Sequence, residues 1–314
     1  MIVTDKSSWL RMVFAVHGTT LAKVGPRLAF VIGCASLMTY LSIVLGVHTY
    51  SLTTAPFTII GLALAIFLGF RNGAAYDRYW EGRKLWGGMV NTTRTFAIQI
   101  LNVIQSVDDQ DADELAGFRR ETIDLIIAYV NALRHRLRDS DAKEELTNVL
   151  DEATLVNLSH YDNVPVAIAD LIGKKLAFAN QQGWLDKFHV PMLYANLAEM
   201  INVQGGCERI KTTPIPFTYS VLTHRTVMLY CLALPCGLHD TVGILTPVVV
   251  AFVAYAFLGL DAVGDEIEQP FGFEDNHLPL SAITRTIEVN LLNLAGANSA
   301  QIPNMIQPDN HVLN

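Results

Sequence analysis

Residues 51–70 carry no charged side chain, whereas residues 71–86 read R-N-G-A-A-Y-D-R-Y-W-E-G-R-K-L-W. A helix of about 20 apolar residues crosses a hydrocarbon core. The change at Arg71 marks where such a helix leaves lipid for a polar interface rich in arginine and aromatic rings. Helical spacing also sorts its faces: Leu62, Ile66 and Phe70 recur every four residues along one stripe. Gly61, Ala65, Gly69 and Gly73 make a neighbouring stripe of small residues, which lets helix backbones approach closely in a membrane. Two arrangements satisfy this pattern. In one, copies of the helix ring an axis and the bulky stripe forms an apolar constriction that gates by dewetting. In the other, the stripe packs inside an ordinary membrane bundle.

Three further runs are apolar enough to span: residues 28–47, residues 217–238 interrupted by His224 and Arg225, and residues 241–260 with Pro247 in their first part. A lone arginine within a span is expensive unless it faces protein, reaches an interface or lines water. Arg225 is expected to be structural, paired with backbone carbonyls or a headgroup. Residues 1–27 mix charge with Trp9, Leu10, Met12, Val13 and Phe14 and contain no signal-peptide core. They predict a helix lying on the membrane surface. Between the two apolar pairs, charges recur. Residues 112–137 place Leu115, Phe118, Leu125, Ile126, Tyr129 and Leu133 near one face, and residues 139–158, 165–182 and 185–210 also read as helices. Residues 281–294 form a last helix before a polar tail. The expectation is an all-α membrane protein with four transmembrane helices and a helical cytosolic domain. Its parts are 1–86 (surface helix and first hairpin with the pore helix), 87–211 (cytosolic helices), 212–263 (second hairpin) and 264–314 (acidic segment, helix and tail).

Lys and Arg crowd the N-terminal segment, the stretch after Phe70 and the approach to residue 217, while residues 48–56 and 238–241 have none. Positive charge collects on the cytoplasmic side. That predicts that both termini and the helical block lie in the cytoplasm, with the two short loops outside. The composition fits: 51% of the 314 residues are hydrophobic and 17% charged, against about 25% charged in soluble domains. A net charge of -8 argues against nucleic acid as a partner. Cys34, Cys207, Cys231 and Cys236 form no CxxC pair, and no H-E-x-x-H, G-x-S-x-G or phosphate-binding loop is present. No enzyme, cofactor or metal site is expected. The acidic residues of 261–275 read as a solvated face. A proton-coupled secondary transporter would place ionisable groups mid-membrane in several helices, and three of the four runs have none. A non-conducting membrane scaffold, its stripe sealed as core, is the other class weighed.

Three blocks carry a family resemblance: F-L-G-F-R-N-G-A-A-Y-D-R-Y-W-E-G-R-K-L-W at 67–86, T-P-I-P-F-T-Y-S-V-L at 213–222, and P-V-V-V-A-F at 247–252 running on to Q-P-F-G at 269–272. In order and spacing the chain resembles the bestrophins, in particular their bacterial branch. The resemblance implies a homopentameric ion channel with a pore on the five-fold axis. Its neck would be lined by Leu62, Ile66 and Phe70, and Gly61, Gly69 and Gly73 would permit the helix shift that opens it. A second constriction, the cytosolic aperture, falls to Met200 by counting back from Gly205-Gly206-Cys207, with Asn196, Leu197 and Ile201 as alternatives. Animal members hold calcium partly through acidic residues after the Pro-Phe-Gly turn. Here Gln269, Glu266 and His277 depart from that pattern, while Glu274 and Asp275 remain acidic. Calcium control is therefore not assumed.

The permeant species would be monovalent ions. Animal members pass anions, and a bacterial member prefers sodium. An apolar neck selects weakly by sign, so charge at the mouths decides. Acidic residues multiplied by five subunits favour cations, with a chloride or anion channel of the same architecture as the alternative. Arg78 and Glu81, three apart, are expected to pair at the junction of the membrane and cytosolic parts.

Overall fold

The computed structural model describes residues 1, 18–43, 52–106, 112–309 and 312–313. The surface helix expected around Trp9–Phe14 and residues 48–51 of the loop at 48–56 lie outside these. Among the described residues the chain is helical, with no strand beyond one isolated bridge between Asp309 and Val312. The helices are α1 (Leu21–Ile43), α2 (Thr54–Val103), α3 (Ala112–Arg138), α4 (Lys143–Thr147), α5 (Glu152–Leu158), α6 (Val164–Gln181), α7 (Val190–Thr212), α8 (Phe217–Val242), α9 (Thr246–Glu268) and α10 (Leu280–Leu294). They fall into two compact units, one drawn from Thr4–Trp80 and Thr213–Pro270, the other from Glu81–Thr212 and Phe271–Asn314.

The first unit is apolar. Three helical stretches are long and apolar enough to cross a membrane: Leu21–Ile43, Thr54–Val103 and Phe217–Glu268. The last holds both α8 and α9. Pro56 sits in the first turn of α2, where a missing N–H is tolerated. The 50 residues of α2 meet no other proline. The core of this unit joins Val24, Val31 and Ala35 of α1, Phe57, Leu64 and Leu68 of α2, Val227, Cys231 and Leu234 of α8, and Val250, Ala254 and Leu258 of α9. On α2 and α9 these positions recur mainly at intervals of four, so each helix offers one ridge to its neighbours. Gly237 admits that approach: a Cβ there would lie 2.2 Å from the Phe57 ring. The run expected to turn at 238–241 is helical instead. His239 of α8 hydrogen-bonds Ser42 Oγ at 2.7 Å, and the chain turns at Gly243, whose φ of 58° suits glycine.

The second unit is built around α3, whose residues from Thr122 to Arg134 are buried on nearly every side and which packs on α6, α7 and α10. Asp113 and Glu114 open α3 and His135, Arg136 and Arg138 close it, matching the helix dipole at both ends. The helix expected over 139–158 is broken in two. Asp139 takes a φ of 52° after α3, and Asp151 Oδ1 caps α5 by accepting from Thr154 N at 2.7 Å. Asn163 caps α6 ahead of Pro165 in the same way. The other helices expected here are present. Arg134, buried, donates to Thr284 Oγ1 at 3.0 Å and to Glu145. The His135 hydrogen bond, reinforced by Arg134, pulls the Glu145 carboxyl down to about 2 from an ordinary value near 4.5. A carboxylate depressed in the folded state stabilises it above the ordinary value and loses that contribution as pH falls toward the depressed one. The wild-type melting temperature should therefore fall more steeply than that of Glu145→Gln between pH 4.5 and 2. The difference should stay below about 1 kcal/mol because the carboxylate is half-exposed. Thermal melts across that pH range check it.

Candidate functional site

In α2, one helix contributes two faces of different character. Phe57, Leu64, Leu68, Arg71 and Ala75 are buried against the rest of the apolar unit. Leu62, Ile66 and Phe70 point the other way and are 65%, 51% and 71% exposed, and Ile59 continues the stripe upstream, also exposed. From Ile59 to Phe70 it covers about 16 Å along the axis. Bulky apolar groups in this position meet either lipid or other copies of the chain. Gly61, Gly69 and Gly73 differ among themselves. A Cβ on Gly61 would lie 2.6 Å from the Tyr230 hydroxyl, whereas Gly69 and Gly73 face open space within the chain.

Next to Phe70 the helix buries a charge. The Arg71 side chain is fully enclosed, and its Nη1 donates to Asp261 Oδ1 at 2.9 Å. Nη2 donates to Asp265 and lies 3.6 Å from Glu268 Oε2. Asp261, Asp265 and Glu268 fall at i, i+4 and i+7 on α9, the face that carries Val250, Ala254 and Leu258 one to three turns earlier. Asp261 Oδ2 lies 2.6 Å from His224 Nδ1 of α8. Asn72 Nδ2 donates to the Leu260 carbonyl at 2.9 Å, and Gly264 leaves it room, since a Cβ there would lie 2.4 Å from Asn72 Oδ1. Glu266, buried as well, sits 3.4 Å from Lys23 Nζ. The first part of the acidic run is thus the partner set of a buried arginine, not the solvated face expected from sequence. Among the described residues, only His224, Asp261 and Asp265 come close enough together to share a metal ion. The Arg71 guanidinium already rests on both carboxylates.

Other expectations change too. Arg78 does not pair with Glu81. Its Nε donates to the Glu268 carbonyl at 3.0 Å and Nη1 to the Thr213 carbonyl, while Glu81 accepts from Arg209. Arg225 is exposed on α8, and no described residue pairs with it. Met200 is 0% exposed: it lies in the core of the second unit, and its carbonyl accepts from the Tyr129 hydroxyl at 3.0 Å. A side chain enclosed by its own chain cannot line an axis between copies, so Met200 is not the aperture. Leu197 is buried likewise, and Asn196 donates to Gln99 Oε1 at 2.7 Å. In the same unit Phe188, just ahead of α7, is 80% exposed, more than any other large apolar side chain described there. After the Pro-Phe-Gly turn, the buried His277 ring lies over Gly272, whose Cβ would meet Nδ1 at 2.5 Å. An imidazole there is a poor ligand for calcium, which takes oxygen donors.

The chain matches the bacterial and fungal bestrophin proteins over residues 1–293. It belongs to the bestrophin family. A voltage-dependent anion channel-forming protein of Ralstonia nicotianae is 41% identical over 303 residues, covering 95% of this chain and 96% of the relative. A voltage-dependent anion channel-forming protein of Escherichia coli K12 is 35% identical, with 99% of each covered. The solved bacterial bestrophin homologue of Klebsiella pneumoniae superposes with a TM-score of 0.79 at 34% identity, over 88% of this chain and 99% of that one. This bestrophin is accordingly a membrane protein and an ion channel, not an enzyme.

Removing one partner of a buried ion pair strands the other charge. Asp261→Asn should therefore lower stability by about 3 kcal/mol. Asp265→Asn, whose carboxylate is 43% exposed, should cost less than about 1 kcal/mol. Thermal unfolding of the detergent-purified variants, read side by side, checks the order.

Proposed function

We propose that the chain assembles as a homopentamer in the bacterial inner membrane, with both termini in the cytoplasm, and conducts monovalent ions passively through a central pore. Leu62, Ile66 and Phe70 line its neck. The observation that carries this reading is the stripe of large apolar side chains left exposed on α2 beside a face that is fully packed. Five copies of that stripe around an axis would strip water from a passing ion, and the pore conducts once they part. Gly69 and Gly73, which face open space, leave α2 free to slide past its neighbours. Phe188 takes the place of Met200 at the second constriction, on the strength of its exposure. The Lys and Arg distribution supports the orientation.

The neck has no charge of its own, so the sign of the permeant ion is set next to it. The net charge of -8 per chain supports a preference for monovalent cations, sodium among them. The relatives' names support the opposite reading, an anion channel of the same architecture. Reversal potentials of the purified protein in planar bilayers with asymmetric sodium chloride separate the two by their sign.

Ile66→Ala should raise unitary conductance about fivefold, equivalent to lowering the barrier by about 1 kcal/mol. Unchanged currents from normally assembled protein would remove the neck assignment. Phe188→Ala should shift permeability ratios among ions of different size and leave the neck-limited conductance close to wild type. Bi-ionic recordings read that shift, and its absence would return Phe188 to the surface.

A further inference from the structure

The face of α2 that carries the neck residues does not end at Phe70. At about 100° per residue, Gly73 and Asp77 fall within about 20° of the line through Ile66. Asp77 lies seven residues, or about 10.5 Å, beyond Phe70. Arg71 and Arg78 lie about 120–140° around the same helix. They are engaged there, Arg71 with Asp261 and Asp265, and Arg78 with the Glu268 and Thr213 carbonyls. Asp77 is exposed, and no cation among the described residues pairs with it, although Arg78 is its neighbour in sequence. Every other acidic residue between 261 and 268 has a cation or a backbone donor in reach: Asp261 and Asp265 have Arg71, Glu266 has Lys23, and Glu268 accepts from Ile215 N at 2.9 Å. The next charged residue in the same seven-residue register, Lys84, has a partner of its own.

We infer that Asp77 is the ion-selectivity residue of this channel: a ring of five free carboxylates two turns below the neck that concentrates monovalent cations and repels anions. The inference rests on the neck assignment, because only a stripe that faces the axis brings Asp77 to the ion path. Its physics is direct. A narrow passage lined by one sign of charge raises the local concentration of the opposite ion. Among the described residues no cation pairs with the carboxylate, so its charge acts on the ion. The Arg71 and Arg78 guanidinium groups sit on another face, Arg71 against Asp261 and Asp265 and Arg78 on the Glu268 and Thr213 carbonyls.

The test is bilayer recording of purified full-length protein in asymmetric sodium chloride. Wild type should favour sodium over chloride, and Asp77→Asn should lower the sodium-to-chloride permeability ratio about tenfold, the lower end of the enrichment a one-signed cleft produces. Asp77→Glu should keep the wild-type ratio. In wild type the preference should fade as salt rises from about 0.01 M to about 1 M, because screening shortens the reach of the ring. In Asp77→Asn it should be flat. If Asp77→Asn fails to assemble, Asp77→Cys replaces it: a sulfonate-bearing thiol reagent should restore cation preference and an ammonium-bearing one should reverse it. An unchanged ratio in Asp77→Asn, or in Asp77→Cys after both reagents, overturns the inference. If Ile66→Ala still raises conductance in that case, the neck stands and Asp77 alone falls. If Ile66→Ala is silent too, the neck reading fails with it. A wild-type preference for chloride overturns the inference outright.

Discussion

A guanidinium enclosed by protein at the edge of a membrane helix dictates much of the apolar unit. Arg71 cannot be left alone there, because an uncompensated buried charge costs several kcal/mol. Its requirement fixes the register of α9 through Asp261 and Asp265, and His224 of α8 joins through Asp261. Asn72 and Gly264 then set how closely α2 and α9 approach. Above this node the same helices are held only by apolar ridges, which specify contact but not register as tightly. The polar node therefore does what the apolar core cannot: it ties three helices to one another at a single height.

With one side of α2 committed to that node, the other is available for function. Leu62, Ile66, Phe70 and Asp77 share the free side, and Arg71 and Arg78 share the committed one. Charges engaged in packing and the exposed carboxylate of Asp77 are thus sorted by helix angle alone. In the proposed pore, an apolar stripe with a carboxylate at its end would combine a barrier to water with a preference of sign, and neither would interfere with the packing behind it.

Much of this was legible in the sequence. The apolar runs, the switch at Arg71, the four-residue repeat of Leu62, Ile66 and Phe70, and the apolar face of α3 are all readable in the pattern of the sequence, and most of the helices stand where that pattern puts them. The misreadings share a cause. Asp261, Asp265 and Glu268 looked like a solvated run because their number suggested surface. Their i, i+4, i+7 spacing continues the buried ridge of α9, which is the signal that they face inward. Arg78 and Glu81 have the spacing of a local pair, but each found a more distant partner, which no local rule foresees. Met200 was placed by counting from a glycine pair, and counting along a helix does not say which face is enclosed. The break within 139–158 depended on a positive φ at Asp139 and a cap at Asp151, details finer than hydrophobic periodicity.

Phe70 and Arg71 are consecutive residues on an unbroken helix. Any displacement that draws the Phe70 ring outward also pulls on the salt bridges one residue later. A passage widened at this level must therefore either rupture those bridges or carry α9 along as a single body. The latter would leave every buried charge matched throughout the stroke, so dilation of a pore lined by Phe70 would be a concerted movement of paired helices and not a local bend.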